Sequence, residues 1–86
     1  MPQPDEPTME LANSDLSETA KEAIRFTFNP SGNATVHRLK FLAAALITEY
    51  EKVRDSGTGA GREAAVAITN LQTASMWGVL AATKGL

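Results

Sequence analysis

The chain of 86 residues contains no cysteine and a single histidine, so neither a disulfide nor a thiolate zinc site can staple a domain this small. A chain of this length buries a low fraction of its surface, which leaves self-association as the remaining source of stability. Aromatic residues make up only 6% of the sequence, and no apolar run approaches the roughly 20 residues that cross a bilayer. The opening Met1 to Leu11 has neither a basic nor an apolar stretch of the secretory kind. Both features point to a cytoplasmic protein without a membrane role. Carboxylates are missing altogether between Glu22 and Glu49, a gap that holds Arg25, His37, Arg38 and Lys40. The gap is an anion-friendly window, but it falls well short of the basic stripe of a duplex nucleic-acid binder.

What is present is unevenly spread. Residues 1–25 carry six acids against Lys21 and Arg25, a local sum of −4, so the remainder of this −2 chain is +2. Pro2, Pro4 and Pro7 among acids mark residues 1–13 as a flexible acidic N-terminus, and residues 14–86 as a helical hairpin domain with a preceding short helix. From Ser14 to Arg25 the pattern turns helical, with Leu16, Ala20, Ala23 and Ile24 on one side. Aromatic and β-branched residues at Phe26-Thr27-Phe28 then run into the turn cluster Asn29-Pro30-Ser31-Gly32-Asn33, an ordered loop.

The clearest signal follows. Val36, Leu39, Ala43, Leu46, Tyr50 and Val53 recur in steps of three and four, which predicts a helix over 35–54 with a seam facing a partner. Phe41, Leu42, Ala45 and Ile47 lie off that seam, so one partner helix cannot cover the apolar surface. The glycines at 57, 59 and 61 then break the helix. A last helix from Arg62 to about Lys84 is nearly uncharged and apolar all round, with small residues that allow close approach. In so short a chain such an interior must be shared between subunits. The expected fold is therefore all-α: a short N-terminal helix and a long antiparallel two-helix hairpin, assembled as a homo-oligomer.

No catalytic set emerges. His37 has no thiol or placed hydroxyl beside it, and Glu49 and Glu51, two apart on a helix, diverge. The chain reads as a binder without enzymatic activity, cofactor or metal. Gly57 to Arg62 before a helix could hold an anion, but without a preceding strand or a Gly-Lys-Ser/Thr ending it reads as a hairpin turn, leaving Arg62 free to face an anion. The stretch from Phe26 to Lys40 places Phe26, Phe28, Asn29, His37, Arg38 and Lys40 together. Rings of this kind stack on bases and cations hold phosphates. Equally, Phe26 and Phe28 could plug the open end of the hairpin, and Trp77, spaced helically with Met76 and Leu80, suits a core or an interface.

The order of these motifs resembles the hairpin domain shared by phage anti-CBASS and anti-Thoeris sponge proteins. The resemblance rests on Phe26-Thr27-Phe28-Asn29-Pro30, the helix with Lys40 early, the glycine loop, Arg62-Glu63-Ala64, and Leu71-Gln72-Thr73-Ala74-Ser75-Met76-Trp77. It implies a compact oligomer, commonly a hexamer, that sequesters cyclic oligonucleotides such as cGAMP in the host cytoplasm without cleaving them. It implies an aromatic ring against a base and a cation against phosphate, roles that fall by position to Phe28 and Lys40. It further implies a second site for cyclic trinucleotides, with Lys84 or Arg62 as candidate cations. The competing expectation is a purely structural or protein-binding helical oligomer, which would take up no nucleotide.

Overall fold

The computed structural model describes residues 11–85, and these form three α-helices, α1 (Glu18–Ala23), α2 (Ala34–Arg54) and α3 (Gly61–Thr83), preceded by a 3-10 turn at Asn13–Asp15. No strand occurs among the described residues. The flexible acidic start expected for residues 1–13 lies, except for residues 11–13, outside the described residues.

The sequence predicts one helix from Ser14 to Arg25, and the structure divides it. Ser17 adopts an extended backbone (ψ 153°) and its hydroxyl accepts the Ala20 N–H at 3.0 Å, starting α1 afresh. Six residues cannot hold a helix unaided, so α1 depends on docking. The Ser17 N–H donates to Thr48 Oγ1 at 3.0 Å, the Ser17 and Thr19 hydroxyls donate to the Glu51 carboxylate, and Gln72 Nε2 donates to the Ala23 carbonyl at 3.2 Å. Both long helices thereby grip α1.

The hairpin is laid down as expected. Asn33 Oδ1 caps α2 by accepting the Val36 N–H at 3.0 Å, and Lys52 and Arg54 supply cations in its last turn. Gly57 and Gly59, at φ of 76° and 86°, make the left-handed turns of the connecting loop. The core stripe of α2, however, is rotated from the predicted seam. Val36, Lys40, Ala43, Ala44, Ile47 and Thr48 are buried, whereas Leu39, Leu46 and Val53 of the seam are exposed. The cause is α1: Ala20 packs fully buried with Ala44 and Ile47, and Leu16, Ile24 and Phe26 complete that cluster. Small side chains let the short helix sit close, and the burial it supplies decides which face of α2 turns inward. Helix α3 contributes Ala64, the one buried residue among its described side chains, with Ile68 and Leu71 partly buried against the cluster.

Candidate nucleotide-binding site

The site is built where α1 ends. The Phe26 N–H donates to the Lys21 carbonyl at 2.9 Å and the Arg25 N–H to the Glu22 carbonyl at 3.2 Å, the paired closure of a Schellman stop. The position that closes this motif needs a left-handed backbone and is usually glycine. Here it is Arg25, at φ 53°, the one non-glycine residue with positive φ among those described.

The loop that follows is tied at two points. The Asn29 side chain clips the turn, donating to the Asn33 carbonyl at 2.8 Å and accepting the Asn33 N–H at 3.1 Å. The Lys40 side chain, on a residue only 4% exposed, donates from its ammonium to the Arg25 carbonyl at 2.7 Å and to the Phe28 carbonyl. Burial pushes the Lys40 amine below the ordinary lysine value, and the nearby Arg25 charge pushes it further the same way.

These ties hold the Phe28 ring at the surface, 54% exposed, with the Arg25 guanidinium 4.4 Å from its centroid and the Lys40 ammonium 5.6 Å away. Phe28, Asn29, Pro30 and Lys40 line a groove of about 190 Å³ closed by Val79 and Thr83 of α3. On the other side of Lys40 lies a second groove of about 260 Å³, bounded by Arg25, Ser75, Met76 and Val79. An exposed ring, two cations and two adjoining clefts form a surface suited to a base and a phosphate.

A family model described as Acb2/Tad1, hairpin domain, matches residues 18–83, which takes in all three helices and the loop that carries Phe28. The chain belongs to the Acb2/Tad1 hairpin family. This is the family of anti-CBASS and anti-Thoeris sponge proteins, known for binding cyclic-nucleotide signals. No curated protein and no solved structure matches the chain.

On this hairpin scaffold the residues singled out from the sequence divide into groups. Phe28, Asn29 and Lys40 meet at one groove, and Lys84, exposed, follows directly on Thr83 at the same end of the hairpin. Phe26 is instead a core residue, because the Schellman closure turns its ring inward; the His37 ring packs against it at a tilt of 49°, with centroids 5.6 Å apart. Arg38 is exposed and, two positions from Lys40, faces elsewhere on α2. Arg62 opens α3 at the opposite end of the hairpin, about 20 Å along the axis from Lys40 in the same chain. The Phe28–Lys40 groove and Arg62 therefore cannot serve one small ligand within one subunit. The sequence places Arg25 in the carboxylate-free window but does not single it out as a ligand residue, since nothing in the local pattern announces that an arginine will occupy a glycine position.

Proposed function

We propose that this hairpin-family protein is a sponge that binds cyclic oligonucleotide second messengers, cyclic dinucleotides and with them cyclic trinucleotides, and holds them without cleavage, blocking CBASS-type defence in the cytoplasm of a phage-infected host. The observation that carries the proposal is the exposed Phe28 ring with the Arg25 guanidinium 4.4 Å and the Lys40 ammonium 5.6 Å from its centroid, on the scaffold of a family known for binding such signals. A base stacks on the ring, and positive charge beside the ring faces its phosphate. The reading without catalysis draws on the same site: the polar side chains that line the two grooves are cations, an amide and the hydroxyls of Ser31, Ser75 and Thr83, and no histidine or carboxylate stands among them to activate a hydroxyl or water as nucleophile.

The geometry also supports a shared site. Each groove, at about 190 and 260 Å³, is smaller than the clefts of roughly 300–1,000 Å³ that ordinarily enclose a ligand of drug size. A cyclic dinucleotide has two bases and two phosphates, and two copies of the groove across a symmetric interface would match it. A homo-oligomer, a hexamer by family resemblance, is the assembly proposed. The exposed apolar face of α3, where Met76 and Trp77 are 69% and 66% exposed, favours that assembly. It equally supports a second reading, a structural oligomer that binds no nucleotide.

Phe28→Ala separates the two readings. Loss of a stacking interaction of about 1–3 kcal/mol per base should weaken cyclic-dinucleotide binding tenfold or more in calorimetry while the oligomer persists in light scattering. Unchanged affinity would place the ligand elsewhere.

A further inference from the structure

We infer that Arg25, held in a left-handed backbone conformation at the end of α1, is the phosphate-binding cation of the ligand site, and that Lys40 serves to hold its loop. The inference rests on the sponge reading and names a residue that the reading alone does not.

Lys40 is poorly placed to reach a ligand. The residue is almost wholly buried, and two of its three ammonium N–H groups already go to the Arg25 and Phe28 carbonyls. Arg25 is the reverse case. Its side chain is exposed and forms no ion pair or side-chain hydrogen bond among the described residues; its guanidinium rests on the Phe28 ring at 4.4 Å. The backbone at this position is one that L residues adopt at a cost and glycine adopts freely, with φ 53° in a Schellman closure. A strained residue where glycine would serve the fold better implies a use for the side chain. That side chain is a planar fork of five donors, suited to two phosphate oxygens at once. A cation resting on an exposed ring is held weakly compared with one in a charge-assisted pair to phosphate. A base arriving on Phe28 therefore displaces the guanidinium from the ring, and the guanidinium takes the phosphate of the same nucleotide.

The test uses the full chain in its assembled form, titrated calorimetrically with a cyclic dinucleotide at several salt concentrations, as parent, Arg25→Gly and Arg25→Lys. Arg25→Gly suits the left-handed backbone and should keep or raise the melting temperature, yet bind about tenfold more weakly or worse, with a salt slope shallower by about 0.7 for each phosphate left unneutralised. Arg25→Lys should recover most of the slope. Should Arg25→Gly fail to fold, Arg25→Asn, also tolerant of this backbone, carries the same comparison. The second readout is the NMR signal of the Arg25 δ-methylene, which the Phe28 ring current should displace in the free protein and release on ligand addition. A parent that binds while Arg25→Gly binds with the same affinity and salt slope overturns the inference, as does a ring-current shift that persists in the complex. A parent that binds no cyclic nucleotide overturns the sponge reading itself.

Discussion

At the scale of single residues, Lys40 carries the most consequence for both fold and site. Truncating it to alanine removes the charged donor from the part-buried Arg25 and Phe28 carbonyls, and a hydrogen bond to a charged group contributes about 1.5–3 kcal/mol. Lys40→Ala should therefore lower the denaturant midpoint by that order and speed amide exchange across residues 25–30. An unchanged midpoint would show that the two carbonyl hydrogen bonds contribute nothing. Sequence spacing alone suggests a cation free to meet phosphate, because Lys40 lies off the Val36/Leu39/Ala43 seam. The rotation of α2 toward α1 is what buries it. Folding disfavours its charged form, so this destabilising contribution is fully present below the folded-state value and is relieved as pH rises through that value towards 10.5. Arg25→Gly removes the lesser cause of that depression, and a lysine NMR titration should find the Lys40 value moved part of the way back up. A value unmoved by the change would mean that the Arg25 charge is not felt there.

Among the elements, the long helices are legible in the sequence and the short one is not. Asn33 before an apolar period and the glycines after Arg54 state the limits of α2 and α3 locally, and the structure places them within a residue of the expected bounds. The break at Leu16–Ser17 depends on tertiary partners, Thr48 and Glu51, over 30 positions away, which no local pattern contains. The same non-local docking decides which side of α2 is core, so Ile47 is wholly buried and Leu46 is not. Ile47→Ala should cost about 2–5 kcal/mol in chemical unfolding, and Leu46→Ala much less. A reversed order would return the core to the predicted seam. Thr48 bridges α1 and α2, accepting the Ser17 N–H at 3.0 Å and donating to the Ala44 carbonyl at 2.8 Å. Thr48→Val keeps the shape and orphans the Ser17 N–H, a loss of about 1–3 kcal/mol that should appear first as exchange of the α1 amides. The Phe28 loop is legible as a loop with aromatic and cationic residues. Which of its rings faces outward is not, because the Schellman closure that turns Phe26 in and leaves Phe28 out is set by a backbone angle at Arg25.

For the whole molecule, the proposed function makes each chain the bearer of a half-site that the proposed assembly completes. Helix α3 leaves Met76, Trp77 and Leu80 exposed along one side, and a chain this small gains most by covering such a face with copies of itself. Trp77→Asp should dissociate the assembly in light scattering and, with it, lower the affinity for any ligand held between subunits; an assembly indifferent to the change would move the interface elsewhere. The most direct test of the sponge reading is calorimetric titration of the purified, assembled protein with a panel of cyclic di- and trinucleotides, followed by heating and chemical analysis of what is released. The predicted result is saturable binding of at least one cyclic dinucleotide and its recovery intact; no binding across the panel, or recovery of a linear product, would contradict it.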